Sequence, residues 1–281
     1  MKAFISDIHA NLEALKSVFK DIDSQHVDEI ICLGDVVGYG PDPEPCTDLV
    51  MSRSDIALMG NHDYALLHGP LSFNPIAAEV IRITREKMAP ARIKAAEYLS
   101  ATESGQELPS SIQAARSHKE EQQAEQRWHF LETLPASLKD NNLSYVHASP
   151  LEPIHEYIFP DIYSQWWQPE RIQLMFEKID WLVFCGHTHY PCVITESMDC
   201  YYPQDSGNIL QIEKDRKYII NDGSVGQPRD RDNRACYLLF DEQNAKLEWR
   251  RVGYNIESVK KKVDKMCGED NWCGVRLRFG R

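Results

Sequence analysis

Long hydrophobic runs are missing from this 281-residue chain. None of its apolar stretches approaches the roughly 18 residues that a bilayer-spanning helix requires, so a membrane-embedded protein is not expected. The opening MKAFISDIHA is too short and too polar for the apolar core of a secretory leader. Paired Cys-x-x-Cys motifs are absent, although the chain has 8 Cys. Cys32 and Cys185 sit inside apolar stretches and read as small buried hydrophobes, so a disulfide framework is not expected in a chain of this length. Positive charge is scarce: 31 Lys and Arg face 43 Asp and Glu, for a net charge of −12. With no Lys/Arg stripe, long nucleic acid and anionic membrane are poor partners. Repeats, low-complexity tracts and domain-splitting linkers are lacking too. The expectation is one domain over residues 1–281, in the cytoplasm, with reduced thiols. Oligomeric state is unconstrained.

What is present is an ordinary globular composition, 42% hydrophobic and 26% charged. Lys2 to Ser6 reads as a buried strand. Leu12, Leu15, Val18, Phe19 and Ile22 recur at helical spacing after Asn11. Glu29 to Leu33 is a second strand, a helix fits about 44–53, and Ile56 to Met59 is a third strand. Strand–helix–strand–helix–strand argues for a parallel sheet with helices on its faces. Asn74 to Met88 is helical. The Ala-, Gln- and Glu-rich segment at about 89–127 reads as a helical insertion, and Trp128 to Leu134 as a return to an apolar helix. Strands follow at Leu143–Val146 and Trp181–Cys185. Beyond residue 190, strand-like runs at 192–195, 208–213, 217–221, 235–240 and 246–252 predict a mixed or antiparallel sheet, closed by a helix over about 256–266.

Residue types that bind metals collect at the strand ends. Asp7-x-His9 follows the first strand, Gly34-Asp35 the second and Gly60-Asn61-His62-Asp63 the third. His147 and Gly186-His187-x-His189 follow two later strands. In open α/β sheets, sites form beyond the carboxyl ends of strands, so these clusters should converge. Two Asp, one Asn and four His make seven ligands, with His62 and Asp63 left over. That is too many for one ion and suits two ions sharing a carboxylate. Mixed nitrogen and oxygen donors suit Mn, Fe, Ni, Co or Zn, with manganese the metal expected to serve in vitro. No Cys belongs to any cluster, which argues against a structural thiolate zinc site.

These motifs, in this order, resemble the calcineurin-like metallophosphoesterase superfamily. The resemblance implies an α/β fold of four layers, two mixed β-sheets packed as a sandwich and flanked by helices. It implies that Asp7, His9 and His189 hold one ion, that Asn61, His147 and His187 hold another, and that Asp35 bridges them. His62 would face the substrate as general acid or charge stabiliser, and Asp63 would orient its ring. Two such ions lower the pKa of a shared water from 15.7 to about 7. The resulting hydroxide would attack a phosphate ester in line with its leaving group.

The substrate class is less explicit. The Ser/Thr phosphatase branch carries Asp-Arg-Gly after the bridging Asp and later Asn-His-Glu. This chain has Val37-Gly38-Tyr39-Gly40 and Asn61-His62-Asp63 instead. The arginine that grips a phosphomonoester is missing there, which leans toward phosphodiesters. The same gap weakens a dinucleoside tetraphosphatase reading. Phosphomonoesterase, nucleotidase and dinucleoside-polyphosphate hydrolase are the alternatives, and a non-catalytic metal-binding scaffold is a further one. The Gly38-Tyr39-Gly40-Pro41-Asp42-Pro43 turn and Gly223-Ser224-Val225-Gly226-Gln227-Pro228-Arg229 are similar to a bacterial-type group of small phosphoesterases. Asn11 can cap a helix or donate to a phosphate oxygen. Tyr39 and Arg229 are further substrate-side candidates. His155 and Tyr157 can line a pocket rim or be structural, and Trp166-Trp167 reads as core or interface.

Overall fold

The structure, a computed structural model, describes residues 1–101, 117–163 and 165–281. Its elements run β1 (Lys2–Ile5), α1 (Leu12–Ile22), β2 (Glu29–Cys32), α2 (Pro43–Arg53), β3 (Ile56–Ala57), α3 (Asn61–His68), α4 (Pro75–Met88), α5 (Ala91–Ala101) and α6 (His118–Thr133). There follow β4 (Ser137–Asp140), β5 (Leu143–Val146), α7 (Pro169–Phe176), β6 (Leu182–Cys185), β7 (Cys192–Thr195), β8 (Cys200–Tyr201), β9 (Ile209–Gln211), β10 (Tyr218–Asn221), β11 (Ala235–Asp241), β12 (Lys246–Val252), α8 (Ile256–Cys267) and α9 (Trp272–Val275).

Among the described residues the strands form two six-stranded sheets, in the orders β3-β2-β1-β11-β12-β9 and β4-β5-β6-β10-β7-β8. Both are mixed. β1, β2 and β3 run parallel, with Ile5 opposite Cys32, while β11 joins β1 antiparallel. β5, β6 and β10 run parallel, with Asn221 opposite Cys185, and β7 closes on β10 antiparallel.

The period of two along β1 explains why the sheets stack. Ala3 and Ile5 face one way, into a cluster with Leu15, Val18 and Phe19 of α1 and Trp128 and Leu131 of α6. Phe4 faces the other way and stacks flat on Phe184 of β6, ring centroids 3.9 Å apart. Around that pair, Ile31, Leu238, Phe240, Tyr145 and Ile220 fill the space between the sheets. The outer face of the second sheet, Val183, Cys185, Ile194 and Ile219, is covered by Ile172, Met175 and Phe176 of α7. Helix, sheet, sheet and helix are thus the four layers expected.

Two outcomes refine the reading from sequence. Asn61-His62-Asp63, placed by the sequence only after the third strand, open a helix, α3, with Gly60 as its N-cap. The expected insertion begins as α5, and its far end belongs to α6, which runs on through the Trp128 segment. Residues 102–116 of that expectation lie outside the described residues. No helix among the described residues is long and apolar enough to cross a membrane.

Candidate metal centre

The strand ends are joined by backbone hydrogen bonds that continue the sheets into their loops. Asp7 N–H donates to the Gly34 carbonyl (3.0 Å), His9 N–H to Asp35 (2.9 Å) and Gly226 N–H to Asp7 (2.9 Å). Gly186 N–H donates to the His147 carbonyl at 2.9 Å. The loops approach so closely that a Cβ on Gly60 would overlap the carboxylate and amide of Asp35. Asp7, His9, Asp35, His187 and His189 all adopt left-handed φ, between 46° and 67°. Non-glycine residues hold that conformation at a cost, and it clusters at functional sites.

This packing buries the expected ligands and turns them toward one another. Asp7 Oδ1 is 3.2 Å from His189 Nε2, and His9 Nε2 is 3.1 Å from His189 Nε2. In a second group, His147 Nε2 is 3.1 Å from Asn61 Oδ1 and 3.2 Å from His187 Nδ1. Asp35 Oδ2 stands between the groups, 3.6 Å from both His9 Nε2 and His147 Nε2. Two ligands that each sit about 2.1 Å from one ion are about 3.0–3.4 Å apart. The short contacts within each group match the spacing of a coordination shell, while His9 Nε2 and Asp7 Oδ1 are wider apart at 3.8 Å.

The ring tautomers test that interpretation. His9 Nδ1 faces the Val37 carbonyl (3.2 Å), His147 Nδ1 that of Leu33 (3.1 Å), His189 Nδ1 that of Gln227 (2.6 Å) and His187 Nε2 that of His155 (3.1 Å). A carbonyl only accepts, so each of these ring nitrogens carries the proton and the opposite one carries a lone pair. Burial pushes all four imidazoles below their usual range, and His189, with Arg229 adding to the effect, falls to about 4. Neutral His9 and His189 thus aim two lone pairs at each other across 3.1 Å, as His147 and His187 do across 3.2 Å. Neither pair can form a hydrogen bond. Asp7 Oδ1 also lies buried without a hydrogen-bond partner among the described residues. A divalent cation in each group would satisfy these atoms.

The carboxylates are held apart in character. Burial opposes ionisation of Asp7, but its Oδ2 accepts from the His187 backbone N–H at 2.9 Å, which favours the carboxylate. Asp35 is pushed well above it, by burial and then by the charges of Asp7 and Asp63. The Ser6 hydroxyl bonds both Asp7 Oδ2 (2.8 Å) and Asp222 Oδ1 (2.6 Å). One hydroxyl proton cannot serve two carboxylates. Burial and the Asp7 charge raise Asp222, so Asp222 supplies the second proton and Asp7 stays ionised. Asp222 was not singled out in the sequence. Its only signal there is its place one residue past β10.

His62 lies against the cluster, its ring 4.7 Å from that of His9 and 4.5 Å from that of Tyr39. A ring nitrogen of His62 also falls within 4.8 Å of ligand atoms of His9 and Asp35. Asp63 does not orient this ring. As third residue of α3, its carboxylate points back to the helix start and accepts from Gly60 N–H (3.1 Å), Val36 N–H (3.0 Å) and Val37 N–H (3.2 Å). It ties the Asp35 loop to α3, while His62 Nδ1 has no hydrogen-bond partner among the described residues. The ring is placed by packing instead: Gly38, at φ 93°, leaves the space that a Cβ would take from His62 Nδ1.

The remaining candidates divide. Asn11 is the cap of α1, Oδ1 accepting from Ala14 N–H (3.1 Å) and Nδ2 donating to the Gly226 carbonyl (2.8 Å). Tyr39 borders His9 and His62. Arg229 donates through Nη2 to Gln227 Oε1 (3.0 Å), while its Nε is buried without a partner among the described residues. No carboxylate among them pairs with Arg229, whose charge helps depress His9, His62 and His189. His155 and Tyr157 reach the site, the Tyr157 ring stacking on His187 at 3.8 Å. Trp167 packs on the α7 side of the second sheet, and Trp166 is 55% exposed. Arg276 carries no local signal in the sequence. Burial and the charge of Arg229 draw its guanidinium down to about 10, and a backbone bond from Arg231 N–H to the Gly280 carbonyl (2.8 Å) ties its segment to the Arg229 loop.

The buried imidazoles predict an acid-sensitive apo-protein. Unfolded histidine takes up a proton near 6.5, whereas these five, His62 included, resist it when folded. Between pH 6.5 and about 4 the unfolded state therefore binds more protons, and stability falls as pH falls. The raised carboxyls of Asp35, Asp63 and Asp222 act in the opposite direction but are fewer. Urea unfolding of metal-stripped protein should show a lower midpoint at pH 5 than at pH 7. An unchanged midpoint would contradict the assigned tautomers.

A family model described as calcineurin-like phosphoesterase matches residues 3–191. An uncharacterised protein of Methanocaldococcus jannaschii, MJ0912, is 34% identical over 289 aligned residues, covering 100% of this chain and 98% of its own. Among solved structures, a metallophosphoesterase from Sphaerobacter thermophilus superposes with a TM-score of 0.74 at 31% identity, covering 100% of this chain and 98% of that one. The hypothetical protein PH1004 of Pyrococcus horikoshii OT3 shares the fold, with a TM-score of 0.63 at 17% identity over 100% of this chain and 99% of its own.

Proposed function

The chain belongs to the calcineurin-like phosphoesterase family, and on that premise we propose that it is a dinuclear metal-dependent hydrolase of small phosphate esters, preferring phosphodiesters. The observation that carries this reading is the pair of facing imidazole lone pairs in each ligand group, with one oxygen of Asp35 equidistant from both. Asp7, His9 and His189 would hold one divalent ion, Asn61, His147 and His187 the other, and Asp35 both. Ions held there supply the Lewis acidity that makes water a nucleophile at neutral pH. His62 contributes polar contact to the phosphoryl group, and Asp63 fixes the loop that carries Asp35. Tyr39 shapes the approach. The same reading treats residues 1–281 as a single domain with the segment at about 89–127 as an insertion.

The diester preference rests on charge. A diester carries one negative charge fewer than a monoester and needs less cationic grip, and this chain has Gly38-Tyr39-Gly40 where the Ser/Thr phosphatase branch carries Asp-Arg-Gly, so no arginine follows the bridging Asp there. One observation favours a monoester instead: Arg229, close enough to the cluster to depress His189, has no carboxylate partner among the described residues and keeps a buried Nε without a hydrogen bond there. The two readings separate in one assay. Metal-stripped protein refilled with Mn²⁺ should hydrolyse bis(4-nitrophenyl) phosphate faster than 4-nitrophenyl phosphate or a dinucleoside polyphosphate. Arg229→Ala should leave the diester rate within about threefold and cut any monoester rate by about tenfold, the size expected for one charge-assisted contact. A monoester preference that collapses in Arg229→Ala would reverse the assignment.

A further inference from the structure

Beside the ligand cluster lies a cleft of about 520 Å³, within the 300–1,000 Å³ typical of small-molecule sites. Its edge at the cluster is polar, with Asn61, His62 and His187, and its walls beyond are mostly aromatic and apolar. Tyr39, Tyr64, Phe73, His155, Tyr157 and Leu71 face it, and no Lys or Arg is among its lining residues. A phosphoryl group is held by cations and N–H donors and has no use for such walls. Nor would further phosphates settle there, because each needs a counter-charge that the cleft lacks. Aromatic walls suit a planar apolar group carried by the phosphate.

The aromatic surface begins at the ligand cluster itself. The Phe73 ring packs 4.8 Å from that of His62, and the Tyr157 ring stacks on His187 at 3.8 Å. A phosphate at the cluster therefore has its ester substituent directed past these two rings. Folding leaves Tyr157 49% and Leu71 83% exposed at this cleft, apolar surface that a ligand can cover.

We propose that this cleft is the subsite for an uncharged aromatic substituent of the phosphate ester, with Phe73 and Tyr157 as its specificity-determining residues. The proposal rests on the phosphoesterase reading above and narrows its substrate class to esters of aryl or nucleobase-bearing alcohols.

Titration calorimetry on the Mn²⁺-loaded protein tests it without requiring turnover. The probes are methyl, phenyl and adenosine 5′-esters of methylphosphonic acid, which carry the same single charge. The phenyl ester should bind roughly tenfold more tightly than the methyl ester. Phe73→Ala should reduce that preference to about threefold or less, Phe73→Trp should retain it, and Tyr157→Ala should weaken it as well. Phe73 lies in an exposed loop outside the sheets, so its replacement leaves the fold intact. An adenosine ester that binds more tightly than the phenyl ester identifies a nucleoside as the occupant. The reverse order identifies a simple aryl group. Equal affinity of the methyl and phenyl esters overturns the subsite and leaves the phosphoesterase reading standing, as does a preference that both alanine variants preserve. Failure of all three to bind, together with no hydrolysis of the aryl diester, overturns the phosphoesterase reading and the subsite with it.

Discussion

Asp35→Asn is expected to lower kcat/KM for an aryl phosphodiester by at least about 10³-fold, some 4 kcal/mol of transition-state stabilisation, while making the metal-free protein more stable. The two halves come from the same oxygen. Asp35 Oδ2 lies 3.6 Å from a lone pair in each ligand group, and Oδ1 accepts from His62 N–H at 2.7 Å. Asparagine keeps the shape and the Oδ1 bond. At the other position it puts an N–H donor in place of a negative charge. For a shared ligand of two cations that is the wrong sign. For the apo-protein it is the right one, because a carboxyl that burial and the charges of Asp7 and Asp63 push far up is replaced by a neutral donor facing imidazole acceptors. Wild-type protein with metal at about 1,000 times its dissociation constant should gain about 4 kcal/mol for each ion bound, which for a chain of this size is a Tm rise of about 8 °C per ion. The variant should start from an equal or higher Tm and show less of that rise. Metal content after dialysis, read by mass spectrometry beside the thermal scans, decides the matter. A variant that retains two ions per chain and full activity would remove Asp35 from the bridging position.

The same carboxylate shows how much of the site was legible. Its convergence with the other polar strand-end residues could be read from Gly34-Asp35 at the end of an apolar run, because strand ends of a parallel sheet converge. The strands themselves were legible for the same reason: Phe4, Ile31 and Phe184 sit in short uninterrupted apolar runs whose two faces are both covered. What could not be read was direction within the loops. Asp63 and His62 are neighbours in sequence, and an Asp beside a His suggests a hydrogen bond between them. That suggestion failed because Asp63 is the third residue of a helix capped by Gly60, where the Gly60 N–H and the Val36 and Val37 N–H groups of the Asp35 loop together outcompete one ring nitrogen. Asn11 presented the opposite case. Capping was visible in its position before a helical pattern, and the cap occupies its side chain. Asp222 and Arg276 escaped because each is brought to the site by a hydrogen bond across more than 40 residues of sequence, Ser6 to Asp222 and Arg231 to Gly280, and no local pattern encodes such a pairing. The 2- to 4-residue elements β4, β8 and α9 also fell below what periodicity can detect.

The correction at Asp63 changes what His62 can do. A carboxylate on its ring would have raised its pKa and prepared an imidazolium to protonate the leaving oxygen. Without that carboxylate, burial holds His62 well below its usual range, and the nearby His189 and Arg229 add to the effect. Divalent cations bound alongside would lower it further. At neutral pH the ring is then a neutral N–H donor, able to stabilise charge on a phosphoryl oxygen but with no proton to give. His62→Ala should accordingly lower kcat by about 10²–10³-fold, the usual cost of losing one preorganised donor, with metal content unchanged. The loss should be the same for nitrophenyl and for phenyl esters, whose leaving groups differ greatly in basicity. The wild-type kcat profile should also show no step near pH 6.5 that disappears in the variant. A general acid behaves otherwise, because its removal costs most where the leaving oxygen is most basic. A loss that grows steeply from the nitrophenyl to the phenyl ester would return His62 to the role of acid, and would require bound substrate to shift its pKa upward against the burial seen here.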